Sequence, residues 1–536
     1  MRRVQIALAL LLFAALACGE VSTSTPSSTL DTSAPGAALP EAPLTIAIEY
    51  GIFGVAEAYI PTGVTYAKPQ LVFGIWGNLE PESGEWHWEP LDALVAEYQA
   101  AGFRGQQILL TAESPWASKV PVGLFAQVDT FPKDEHIDDY ENFIRSVVER
   151  YDGDGVDDMP GLLYPIHEYG IEREFTAYWP GSAEDYVRLL RIAYPVIHEA
   201  DPEAVVMQAA LLLIDIFDGA PDAAEISRRW QVSRINRSLD ENLTVIAACD
   251  AYDVLDFHSL GDYSEIPPTT AWIREQLQAF DCGEVPIWIG DCFSMSGLVG
   301  YGSIPAHPTT EATVDQVIDL LRAVADSRDP DHETATSWLR AEMSIGLVRK
   351  IVVSAGENLA GINIGNLEDW ASGAVAADKA LVPMMGSSMF MGMTDTTITQ
   401  RRPGGPLPYS GHMWSQARTA GDARPAFYAL QLVMDQIGSY STVEKLDLGE
   451  NVWAYRFETP QGPVWVLWLD DGELYLPDME RPNVAVTLNV EADQIQITWT
   501  PTQVGQTEPE SRGVTVSDNA CTFDLGLTPL FISIVD

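Results

Sequence analysis

The chain has 536 residues, 46% hydrophobic and 10% aromatic, which at roughly 100–200 residues per domain allows two or three domains and an ample core. That balance excludes a disordered chain and a small disulfide-stapled scaffold. Thirty Lys and Arg against 77 Asp and Glu leave a formal charge of −47, a field that repels phosphate backbones, so nucleic acid is not an expected partner.

Arg2 and Arg3 precede an apolar run from Val4 to Ala17. It is long enough for the core of an export signal and shorter than the ~20 residues of a spanning helix. The end of the run, Ala15-Leu16-Ala17-Cys18-Gly19, resembles a bacterial lipoprotein cleavage box. The resemblance implies an exported, surface-displayed protein with Cys18 as its lipidated first residue, meeting a membrane only through that anchor. Ordinary secretion is the alternative. Residues 19–43, rich in Ser, Thr, Pro and Ala, read as a flexible tether.

From residue 44 to 438, short apolar or β-branched runs alternate with amphipathic stretches, the pattern of parallel βα units. Strands are predicted at 44–49, 70–76, 105–111, 164–172, 204–211, 253–258, 285–291 and 360–365. Helices are predicted at Pro90 to Ala101, Asp138 to Tyr151, Ala183 to Ala200 and Thr269 to Phe280, with a last one at 424–437. Eight such units point to a (β/α)8 TIM barrel. Residues 439–536 then alternate short strands, at 452–457, 464–468, 484–488, 495–499 and 530–535, with turn residues, which predicts a small C-terminal antiparallel β-sandwich.

A barrel keeps its chemistry at the carboxyl ends of its strands. Strand four closes with Glu172-Arg173-Glu174 and strand seven with Gly290-Asp291. Two carboxylates on separate strand ends are what glycoside hydrolysis needs, one to protonate the leaving oxygen and one as nucleophile or base. In so acidic a protein, solvated surface carboxylates are the competing reading.

The run from Trp76 through Glu80 and Gly84 to Trp86, then Leu91 to Leu94, Ile108 to Thr111 and Ser114 to Ser118, resembles the second and third βα units of clan A glycoside hydrolases. The likeness continues through Glu149-Arg150-Tyr151, Trp179 to Tyr186, Ala200-Asp201-Pro202, Asp253 to His258 and Pro286 to Ile289 into the sandwich, nearly the whole mature chain. It implies a glycosidase acting on poly- or oligosaccharides, without metal or organic cofactor, with an acid/base Glu after strand four and a nucleophile after strand seven. By spacing to Trp179 the acid/base is Glu174, with Arg173 where the family has Asn; a shifted register makes it Glu172 after Ile171. At strand seven Asp291 stands where the family has Glu. Its side chain is shorter by one carbon–carbon bond, about 1.5 Å. That retraction moves the pair from the ~5–5.5 Å of retaining enzymes toward the ~6.5 Å of inverting ones. The two departures leave a second reading open, a non-catalytic carbohydrate-binding lipoprotein. Arg173 discriminates: a guanidinium beside Glu174 would hold it ionised and unsuited to protonating a leaving group.

Other residues fall in the same windows. His258 ends strand six, where the family places a sugar- or nucleophile-contacting His. Trp76, Trp116, Trp179 and Trp370 lie at strand ends or the loops after them, as sugar-stacking platforms or as core. Trp86 and Trp88 read as packing for the second helix. Cys249 and Cys282 precede strands six and seven, neighbouring positions for a disulfide. Asp152, Asp154, Asp157 and Asp158 resemble half of a calcium loop, but the twelfth position is Leu163 rather than Glu, so an EF-hand is excluded. Structural calcium and a solvated acidic turn remain as readings there. The long methionine-bearing segment 366–421 after strand eight is expected as a wall or lid over the cleft.

Overall fold

The computed structural model describes residues 43–119, 131–233, 236–292, 298, 314–365, 369, 382, 386–401 and 416–535. The export signal, Cys18 and the tether up to residue 42 lie outside the described residues, as do Trp370 and residues 370–381 and 402–415 of the expected cleft wall.

Eight parallel strands follow one another around a barrel: β1 (Thr45–Gly51), β2 (Tyr66–Pro69), β3 (Gly105–Leu110), β4 (Glu168–Ile171), β5 in two pieces (Val205–Met207 and Leu211–Leu212), β6 (Leu255–His258), β7 (Ile287–Asp291) and β8 (Gly361–Ile364). β1 pairs with β2 on one side and β8 on the other. The first piece of β5 pairs with β4 and the second with β6. At the break, the Gln208 side-chain amide takes over the pairing. Its Nε2 donates to the Asp256 carbonyl at 2.8 Å and its Oε1 accepts from the Asp256 N–H at 2.6 Å.

The second strand is not at 70–76 as the apolar pattern predicts. Lys68 reads as a break in a strand, yet it is buried in β2 against Glu49 of β1 at 2.9 Å. The apolar run after it turns instead, as a 3-10 helix over Leu71–Gly74, with the Gln70 side chain accepting from the Val72 N–H. Gly74 permits this turn, because a Cβ there would run into the Leu109 carbonyl.

Helices α1 (Glu89–Ala100), α2 (Ile137–Tyr151), α3 (Ala183–Ala200), α4 (Leu239–Ile246), α5 (Ile266–Ala279), α6 (Val314–Ala325), α7 (His332–Gly356) and α8 (Pro425–Ile437) each bury an apolar face. Their starts follow from sequence. Pro90 sits in the first turn of α1 with Glu89 and Asp92 at its positive end, Ser182 caps α3, and Ser238 and Glu241 form a capping box on α4. Cys249 and Cys282 form a disulfide, Cα atoms 5.8 Å apart, between the segments entering β6 and β7.

A two-stranded ladder, β9 (Thr394–Arg401) with β10 (Gln416–Ala423), follows the barrel. The C-terminal strands are β11 (Thr442–Leu446), β12 (Val452–Thr459), β13 (Gly462–Leu469), β14 (Val484–Asn489), β15 (Gln494–Trp499), β16 (Ser511–Thr515), β17 (Ala520–Leu525) and β18 (Leu530–Val535). They make an antiparallel sheet in the order β11-β12-β13-β18-β15-β16 and a second, β14-β17. The two close on a core that includes Leu467, Val486, Leu488, Ile497, Phe523 and Ile532, a β-sandwich. Helix α7 is buried along most of its length and ties barrel to sandwich: Arg349 Nη2 donates to the Leu469 and Leu527 carbonyls, and Trp338 Nε1 to that of Tyr475.

Candidate active site

Strands β4, β6 and β7 deliver Glu174, His258 and Asp291 to one place at the carboxyl end of the barrel. One side-chain ligand atom of each lies within 4.8 Å of the others. His258 Nδ1 is 2.8 Å from Glu174 Oε1. The Tyr50 hydroxyl, at the end of β1, donates to Asp291 Oδ2 at 3.0 Å. Burial opposes a charge on His258, but the hydrogen bond to Glu174 and the Asp256, Glu174 and Asp291 carboxylates outweigh it and raise its pKa to about 9. The ring is therefore an imidazolium at neutral pH, donating from Nδ1. Burial raises the Asp291 pKa, and Glu174 adds to that, against the opposing pull of His258, Lys68 and the Tyr50 hydrogen bond.

Glu172 takes no part in this cluster. Its φ of +67° turns the chain as it leaves β4, and its carboxyl is buried, with Oε1 accepting from the Ala112 N–H at 2.7 Å. Burial pushes that carboxyl up to about 7. Two residues further on, Glu174 faces the barrel mouth. Between them, the Arg173 guanidinium pairs with Glu113 at 2.5 Å, both buried, and lies over the Tyr178 ring.

Beneath Asp291 is a polar floor. The Gly290 carbonyl accepts from Lys68 Nζ at 2.8 Å and from Asn363 Nδ2 at 2.9 Å, while its N–H donates to Asp256 Oδ1 at 2.7 Å. Asn363 Nδ2 also reaches Glu49 and Gln107, and its Oδ1 accepts from Trp288 Nε1. Opposing burial, Glu49, Asp256 and Asp291 raise the Lys68 pKa and keep it charged. Sequence reasoning missed Glu49, Tyr50, Lys68, Asp256 and Asn363. The available signal was charged side chains inside otherwise apolar strands.

The aromatic residues divide. Trp76 is fully buried, stacked on Phe143 and edge-on to Trp116, with Nε1 donating to Glu80, so it packs the core instead of facing sugar. Trp179 is likewise buried against Tyr186, its Nε1 bound to the Ser182 carbonyl. Trp116 is half-buried.

Glu174, His258 and Asp291 are also the kind of groups that ligate a divalent transition metal, which would first have to displace the His258 proton. In the acidic turn the close group is Glu149, Asp152 and Asp154. Asp158 instead accepts from the Gly153 and Gly155 N–H groups, and Asp157 adopts a φ of +54°. The turn is thus held by its own hydrogen bonds.

No protein-family model matches the chain, and no curated protein sequence matches it. Solved structures do. A family 39 glycoside hydrolase from the gut symbiont Bacteroides cellulosilyticus aligns over 92% of this chain and 81% of its own, with a TM-score of 0.54 at 13% identity. A glucosidase from Croceicoccus marinus aligns over 93% and 97%, with a TM-score of 0.51 at 10% identity. A GH39 enzyme from Xanthomonas axonopodis pv. citri aligns over 93% and 96%, with a TM-score of 0.51 at 13% identity. The chain has the fold of the clan A glycoside hydrolases, a TIM barrel with a C-terminal β-sandwich.

Proposed function

We propose that the chain is a retaining glycoside hydrolase that cleaves O-glycosidic bonds in oligo- or polysaccharides, with Glu174 as general acid/base and Asp291 as nucleophile. The observation that carries this reading is the convergence of two carboxyl groups from separate strand ends at the barrel mouth, one oxygen of each within 4.8 Å of the other. Two such carboxyl groups are what glycoside hydrolysis needs, and the product anomer distinguishes a nucleophile from a base at Asp291.

The hydrogen bonds support a division of roles among the atoms. Tyr50 occupies Asp291 Oδ2, leaving Oδ1 to attack the anomeric carbon as the bond to the leaving oxygen breaks. His258 Nδ1 holds Glu174 Oε1, so the proton given to that oxygen is one the His258–Glu174 pair shares, delivered through Glu174 Oε2 while the imidazolium makes up the loss. Glu174 then takes a proton from water, whose oxygen displaces Asp291 from the anomeric carbon and restores both carboxyl groups. This chemistry requires neither metal nor organic cofactor. Arg173 pairs with Glu113, which supports an acid/base role for Glu174. Among the described tryptophans named above, half-buried Trp116 is the candidate for sugar contact. The apolar run from Val4 to Ala17 and Cys18 support export and lipid anchoring.

The test is hydrolysis of aryl β-glucosides and β-xylosides, with the product anomer followed by NMR, for wild type, Glu174→Gln and Asp291→Asn. The structural neighbours include a glucosidase and a β-xylosidase, which sets the first substrates to try. The expected result is retained configuration and loss of turnover in both variants. Inversion would reassign Asp291 as a base. Saturable sugar binding without turnover, unchanged in both variants, would leave a carbohydrate-binding protein.

A further inference from the structure

The register between β6 and β7 slips by one residue at the site. Phe257 stands opposite Ile289, but His258 stands opposite Asp291, so Gly290 is an extra residue on β7. The ladder resumes immediately on both sides, with the Ser259 N–H donating to the Asp291 carbonyl and the Cys292 N–H to that of Asn363. A one-residue bulge bends a strand and re-aims the side chain beside it. The side chain here is Asp291, one carbon shorter than Glu.

The bulge residue is gripped through both peptide groups that flank its Cα. Asp256 Oδ1 takes the Gly290 N–H, while Lys68 and Asn363 take its carbonyl. The Asp256 oxygens also fill the place of a side chain at 290, lying 2.2 and 2.4 Å from where a Cβ would be. A side chain at 290 would have to push the Asp256 carboxyl aside.

We propose that Asp256 is a positioning residue that acts through the bulge at Gly290 to carry the Asp291 carboxylate to within reach of Glu174. Lys68 and Asn363 brace the next peptide, the one that joins Gly290 to Asp291. The inference rests on the proposed function for its kinetic consequence, but its geometric core does not.

The test compares wild type, Gly290→Ala, Asp256→Ala and Asp256→Asn by crystal structure and by kinetics on an aryl glycoside that wild type hydrolyses. Gly290→Ala drives a Cβ into Asp256, and Asp256→Ala removes the acceptor. Both are expected to displace the Asp291 carboxylate by about 1 Å and to lower kcat roughly 100-fold with KM within about threefold, the scale set by misplacement of reacting groups. Asp256→Asn keeps an acceptor oxygen for the Gly290 N–H and is expected to recover kcat to within about tenfold of wild type. Should Gly290→Ala not fold, the Asp256 pair decides. Asp291 unmoved in Asp256→Ala, or Asp256→Asn as impaired as Asp256→Ala, overturns the proposal. If wild type hydrolyses no glycoside, the proposed function fails and the crystal structures alone judge the positioning: a displaced Asp291 supports it and an unmoved one overturns it.

Discussion

Arg173 adjoins Glu174 in the chain, yet its guanidinium meets Glu113, at the end of β3, at 2.5 Å. Glu172, just before them, has a positive φ as the strand ends. The Arg173–Glu113 pair is buried, and removing one member of a buried ion pair is destabilising, so Glu113→Gln is expected to lower stability by about 3–5 kcal/mol in urea unfolding. An unchanged midpoint would show that the pair is not what holds Arg173.

His258 gives stability a pH dependence of definite sign. Its folded pKa of about 9 lies above the ordinary 6.5, so its contribution is complete below pH 6.5 and is lost as pH rises through 9. The shift corresponds to about 3 kcal/mol. Unfolding free energy measured from pH 6 to 10 should fall across that window in wild type and much less in His258→Gln. Parallel curves for the two proteins would refute the assignment.

Much of this was legible in the sequence, and the exceptions have physical causes. Seven barrel strands fall where β-branched alternation puts them. The second escaped because Lys68 is tolerated in a strand only through Glu49, a partner on another strand that no local pattern reveals. In the sandwich, β11 and β16 escaped because they are mostly exposed and polar, without an apolar face to read, and β17 was missed although Cys521, Phe523 and Leu525 alternate on its buried face. Glu174, His258 and Asp291 could be picked out because strand ends in a barrel point to one mouth. The grip on Gly290 could not, since it depends on where buried side chains point.

The Cys249–Cys282 disulfide closes a loop with a sequence separation of 33. Chain-entropy arguments for a loop of that size give about 3–4 kcal/mol of stabilisation through the unfolded state. The Cys249→Ser/Cys282→Ser protein should lose that much in denaturant unfolding while keeping its catalytic constants, because the bridge sits at the opposite end of β6 and β7 from Asp291.

Trp76 and Trp116 touch each other but are expected to answer differently to substitution. Trp76→Ala empties a fully buried site and should cost about 3–5 kcal/mol of stability. Trp116→Ala should raise KM for oligosaccharides more than it lowers stability. Equal stability losses with KM unchanged in both would assign Trp116 to the core as well.

Helix α7 serves two masters. Its Lys350 ammonium holds the Ser259 carbonyl, next to His258, while the following turns of chain are answered by Arg349, whose guanidinium reaches the loops of the sandwich. The C-terminal strands are thus a keel rather than cargo: a chain cut after α8 would not shed an accessory module but strip the backing from the helix that braces the sixth strand.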